Sequence, residues 1–113
     1  MRKINFSKIN KFVKKLFVKI GMNKLDAEKI SYCLCETSLR GIDSHGIKLV
    51  PHYIKSGIYG RKNPNPNFKV KMRYSGILTL DANNAYGHIA GLKAIDIGIK
   101  KAKKIGLCAV SVI

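Results

Sequence analysis

Phe6, Ile9, Phe12, Val13, Leu16, Phe17 and Ile20 recur at three- and four-residue intervals, the spacing of one apolar helix face. The pattern predicts a helix over residues 5–20, with Lys8, Lys11, Lys14, Lys15 and Lys19 on its other faces and Gly21 as its stop. A second helix is expected from Asn23 to about Arg40, with Asp26 completing a partial capping box and Gly41 breaking it. Its expected buried side is Ala27, Ile30 and Leu34, joined by Cys33 and Thr37. A third, shorter helix should follow Ser44 or His45 and run through Leu49, Val50, Tyr53 and Ile54, with Pro51 in its first turn. Residues 56–67, with their Asn-Pro-Asn-Pro run, read as a loop. Strict alternation in Phe68, Val70 and Met72 then signals a strand, and 68–81 reads as a hairpin. A turn at 83–87 leads into a helix over 88–105, with Leu92, Ile95, Ile99 and Ala102 expected inward. The apolar run 107–113 has the pattern of a strand buried on both faces. The predicted class is α/β: N-terminal helices, a β-hairpin, and a βαβ-like unit over 77–113. This divides into a helical region, 1–60, and the start of an α/β domain, 61–113.

The chain is 113 residues long, room for at most one average domain with a modest core. Its net charge of +16 raises nucleic acid as a partner. The lysines are scattered rather than gathered, and aromatics do not interleave with them as a base-stacking surface requires, so that reading is disfavoured. The basic first helix suits a membrane surface or an organelle-targeting segment; a docking helix with a solvated lysine face explains it more simply. Cys33, Cys35 and Cys108 lack the spacing of a redox or zinc motif and read as free thiols in a reducing cytoplasm. No run reaches the length of a membrane span, and no His/Cys/Asp/Glu spacing argues for a metal. Gly87, Gly91 and Gly98 do not form the Gly-x-Gly-x-x-Gly turn of a Rossmann fold.

The densest chemistry lies in Leu39-Arg40-Gly41-Ile42-Asp43-Ser44-His45-Gly46. A histidine exchanges protons near neutrality, and Asp43 and Ser44 are close enough to hold or polarise it. The plainer role is a helix-loop-helix joint with a capping Asp or Ser. Arg40 and Asp43 are expected to pair across that joint. If the third helix begins at Ser44 or His45, its free N–H groups would favour an anionic ligand there.

This octapeptide resembles the signature of the type 2 malate/L-lactate dehydrogenase family, NAD(P)-dependent 2-oxoacid oxidoreductases with relatives acting on sulfolactate, ureidoglycolate, diketogulonate and cyclic imino acids. The resemblance continues through Pro51-His52-Tyr53-Ile54, Gly57, Leu80-Asp81-Ala82, Tyr86-Gly87-His88, Ala102-Lys103 and Gly106. It implies a non-Rossmann fold that binds NAD or NADP, of which this chain is an N-terminal, partial copy. Cofactor contacts are then expected mostly beyond Ile113. The resemblance also implies a 2-oxo or 2-hydroxy acid substrate, a homodimer, and His45 as proton donor acting with Ser44. Arg40, Asp43, Gly46, Lys48 and His88 are the further candidates for lining the site. Many relatives carry an arginine carboxylate clamp where Leu49 stands here, with Lys48 beside it. Composition alone leaves an alternative, an inactive fragment serving as a basic nucleic-acid- or membrane-surface-binding module.

Overall fold

In the computed structural model, which describes residues 3–113, helix α1 runs Phe6–Lys19 and helix α2 runs Lys24–Leu39. Asn5 starts α1 by accepting a hydrogen bond from Lys8 N at 3.2 Å. Asn23 starts α2 more tightly: its Oδ1 accepts from Asp26 N at 2.9 Å, and its Nδ2 donates to Asp26 Oδ2 at 2.7 Å. The two helices pack on each other and bury Val13 and Phe17 of α1 with Ala27, Ile30, Leu34 and Cys35 of α2. Lys14 Nζ and Glu28 Oε2, 2.7 Å apart, tie the pair at its rim.

Several side chains face differently from their sequence pattern. Cys35, not Cys33, lies in the core of this pair, and Ser31 is fully buried with its hydroxyl donating to Glu28 O at 3.0 Å. Such a back-bond inside a helix lets a small polar side chain sit among apolar ones. Phe12 stays 57% exposed, because the buried stripe of α1 is narrower than its run of apolar residues.

The third helix, α3, runs Val50–Ile58, with Pro51 in its first turn. It begins later than Ser44 or His45: two short 3-10 turns, Asp43–His45 and Ile47–Leu49, precede it. It also ends later, so Ser56, Gly57 and Ile58 are helical rather than loop. The chain divides into two compact units, one reaching Asn65 and one covering Pro66–Ile113.

The second unit holds a three-stranded sheet in the order β1-β2-β3, from β1 (Lys69–Tyr74), β2 (Ile77–Asp81) and β3 (Ala109–Val112). β1 and β2 form an antiparallel hairpin, with Val70 opposite Leu80 and Met72 opposite Leu78. β3 returns parallel to β2, with Leu78 opposite Val110, after helix α4 (Gly87–Ile105). The strand, helix and strand from 77 to 113 are therefore a βαβ unit. The core of this unit includes Leu78, Leu80, Tyr86, Ile89, Ala90 and Ala94, and Phe68 packs on Ala82, Ala85 and Ala90.

Two expectations for this unit are corrected. Leu92, Ile95 and Ile99 are 41%, 62% and 52% exposed, and the inward side of α4 is Ile89, Ala90 and Ala94. β3 is an edge strand whose Ala109, Ser111 and Val112 are exposed, although its apolar run read as buried on both faces. Composition showed what these residues could bury, not how many neighbours the described residues would supply.

Candidate functional site

The Asp-Ser-His turn is positioned by the end of α2. Gly41 takes a left-handed φ of 82°. Its N–H bonds to Ser38 O at 2.9 Å, and Ile42 N–H reaches back to Thr37 O at 3.1 Å. This paired closure needs the conformation that glycine adopts most cheaply. The chain then winds into one 3-10 turn, where His45 N–H donates to Ile42 O at 3.2 Å and Gly46 N–H to Asp43 O at 3.2 Å.

Gly46 lies directly on α2. A Cβ there would run into Ser38, coming within 2.8 Å of its backbone nitrogen and overlapping its hydroxyl. Ser38 Oγ accepts Ile47 N–H at 2.8 Å, so this hydroxyl pins the loop to the helix. Ser38 was not among the sequence candidates. It is a serine in the last turn of a helix, and nothing local in sequence signals a partner nine residues ahead.

Within this frame Ser44 Oγ and His45 Nδ1 are 2.9 Å apart, and both residues are exposed. The contact occupies the inner ring nitrogen, while Nε2 has no partner among the described residues. A ring held at one nitrogen and open at the other can give up or take a proton at the open one.

The other candidates fall as follows. Arg40 does not pair with Asp43; its Nε lies 3.2 Å from Glu36 Oε1, one helical turn back. An i,i+4 partner on the same helix face is nearer than one around the joint. Asp43 is exposed and makes no ion pair among the described residues. It is one of the residues that line an open cleft at the junction of α1 and α2. Gly46 is buried and Lys48 exposed. The Ser-His turn lies before the first turn of α3, so that helix's N-terminus does not begin at Ser44 or His45. His52 is exposed and packs edge-on to Tyr53, ring centroids 5.8 Å apart.

His88 belongs to the second unit, in the first turn of α4, where burial lowers its pKa below the ordinary 6.5. Burial also raises the Tyr86 hydroxyl and the Cys33 and Cys35 thiols above their ordinary values. Among the described residues no cluster of three or more His, Cys, Asp or Glu could hold a metal ion. No helix there is long and apolar enough to cross a membrane. β2 runs into Ala82–Tyr86, with Asn83 and Asn84 left-handed, and not into a glycine-rich dinucleotide cradle.

The fold of this chain recurs in a class of dehydrogenases. The malate dehydrogenase of Pyrococcus horikoshii OT3 superposes with a TM-score of 0.93 at 25% identity, over 98% of this chain and 32% of that one. That of Entamoeba histolytica gives 0.90 at 30% identity, over 98% and 31%. In sequence, hydroxycarboxylate dehydrogenase B of Escherichia coli K12 is 31% identical over 103 residues, 91% of this chain and 28% of its own. L-sulfolactate dehydrogenase of Methanocaldococcus jannaschii is 32% identical over 93 residues, 82% of this chain and 27% of its own. The family profile for malate/L-lactate dehydrogenase matches residues 4–113, and the chain belongs to that family. It spans under a third of the length of these relatives.

Proposed function

We propose that this chain carries the proton-transfer turn of an NAD(P)-dependent 2-hydroxyacid dehydrogenase. The observation that carries the reading is the 2.9 Å contact between Ser44 Oγ and His45 Nδ1 on an exposed turn. Reduction of a 2-oxo acid needs a hydride at the carbonyl carbon and a proton at its oxygen. A nicotinamide cofactor, when bound, supplies the hydride. One relative, the ureidoglycolate dehydrogenase of Escherichia coli O157:H7, is named for NAD(+).

His45 would act at its outer nitrogen. In the reducing direction Nε2–H donates to the carbonyl oxygen while Nδ1–H is held by Ser44; in the oxidising direction the ring recovers the proton. Ser44 fixes the ring's orientation, Gly46 and Ser38 fix the turn, Asp43 opens it, and Lys48 lies in the next 3-10 turn. Arg40, occupied by Glu36, supports the helix end rather than the substrate. The substrate is a small 2-oxo or 2-hydroxy acid. The remaining parts of the reading, a homodimer working in the cytoplasm, rest on the family resemblance and on free thiols suited to a reducing compartment.

The test is a titration of the chain with pyruvate, following the His45 ring by two-dimensional proton–nitrogen NMR. The expected result is a saturable shift at Nε2 that Ser44→Ala weakens. A ring that does not respond to any 2-oxo acid would remove the reading.

A further inference from the structure

The exposed side of α1 and the start of α2 border an open groove of about 400 Å3, lined by Lys11, Lys14, Lys15, Val18, Lys19 and Lys24. Lys11, Lys15 and Lys19 follow one another at single-turn spacing, with Lys14 and Val18 in the next row. The surface the groove presents is almost all carbon: Val18 and the lysine stems form its wall, so the ammonium groups lie around it rather than in it. None of the lining residues is acidic. The carboxylates nearest in sequence, Asp26 and Glu28, are already engaged. Glu28 pairs with Lys14 at 2.7 Å, and Asp26 with Asn23 and Lys29. Lys11, Lys15, Lys19 and Lys24 have no acidic partner among the described residues. Like charges one turn apart repel, so this row weakens α1 rather than supporting it.

Cations around a hydrocarbon trough suit a ligand that is anionic at its edges and apolar at its middle. We propose that this groove docks an acidic peptide segment of a partner protein, in which carboxylates flank one aliphatic or aromatic side chain. The apolar side chain gains by covering Val18 and the lysine stems. The carboxylates meet the ammonium groups that the fold leaves unpaired. Other occupants match less well. Nucleic acid needs an aromatic platform for its bases, and the lining has none. The lining has no arginine either, and so no bidentate fork for phosphate. A second copy of this chain brings 22 basic residues against 6 acidic ones and is repelled at this face. No residue of the Ser-His turn lines the groove, so this docking stands apart from the proton transfer proposed above.

The probe is a fluorescein-labelled peptide, Glu-Glu-Phe-Glu-Glu, titrated with the 113-residue chain. Fluorescence anisotropy at two salt concentrations gives its affinity, and backbone amide shifts give its place. Binding should weaken as salt rises and should move the amides of residues 11–24. Replacing the peptide's Phe by Gly should weaken it about fivefold or more. Lys15→Glu with Lys19→Glu should weaken it about tenfold or more at unchanged helix content. Lys71→Glu with Lys93→Glu makes the same change of charge at two exposed positions of the Pro66–Ile113 unit, and should cost less than about twofold. No binding, amide shifts confined to other residues, or a Gly peptide that binds as well would overturn the proposal. So would equal losses in the two double variants, which would assign the effect to net charge alone. Phosphatidylserine vesicles or oligothymidylate that bind more tightly than the peptide, and lose as much to Lys15→Glu with Lys19→Glu, would overturn the choice of occupant and the proposal with it.

Discussion

Gly46 and Ser38 show how little side-chain space the turn allows. Gly46→Ala forces a methyl against the Ser38 hydroxyl and backbone. It should destabilise the helical unit by about 1–3 kcal/mol, the usual range for overpacking. Urea unfolding followed by circular dichroism checks this, and Ser38→Ala combined with Gly46→Ala should cost less than the sum of the two, because part of the clash is with the hydroxyl. His88 offers a second single-residue test. Its pKa is lowered in the fold by burial. As pH falls through 6.5 the unfolded chain takes up the proton first, so stability drops from there until the lower, folded pKa is passed. The urea midpoint of the Pro66–Ile113 unit should therefore fall between about pH 7.5 and 5.5, and His88→Gln should flatten that fall. A midpoint in the variant that falls as steeply as in the parent would assign the effect to other groups.

At the scale of elements, the capped and glycine-stopped helices were the most legible parts of the sequence. Asn23 with Asp26, and Gly21 and Gly41 at the helix ends, state their roles locally. The hairpin and the βαβ connection were legible from alternation and turn residues. Burial was less so. A stripe such as Leu92, Ile95 and Ile99 records that α4 has an apolar side, but whether it is covered depends on residues distant in sequence. Within the described residues the stripe stays exposed, beside a groove of about 350 Å3 lined by Gly98, Cys108 and Val110. The site had the same split. The Ser44–His45 pair was legible as chemistry because adjacent residues must be near each other. The partners Ser38 and Glu36 were hidden, because they depend on how the helix end folds back. The exposed stripe predicts that the chain binds 8-anilinonaphthalene-1-sulfonate, and that Leu92→Ser, Ile95→Ser and Ile99→Ser together reduce that fluorescence several-fold at unchanged helix content. Undiminished dye binding would place the apolar surface elsewhere.

For the molecule as a whole, a net charge of +16 is set against a few exposed ion pairs such as Lys100 with Asp96, 3.0 Å apart. Exposed pairs of this kind stabilise weakly, about 0–1 kcal/mol each, so the fold rests on its two apolar cores. The charge alone does not mark a nucleic-acid binder, because belonging to the malate/L-lactate dehydrogenase family accounts for the chain over residues 4–113. The proposed proton transfer turns on one imidazole, held at Nδ1 and open at Nε2. Single-turnover oxidation of reduced nicotinamide by a 2-oxo acid, followed at its absorbance in the intact protein, tests that claim most directly. His45→Ala should slow the step by about 10²–10⁴-fold while cofactor binding stays unchanged. A variant that turns over at the parent rate would contradict it.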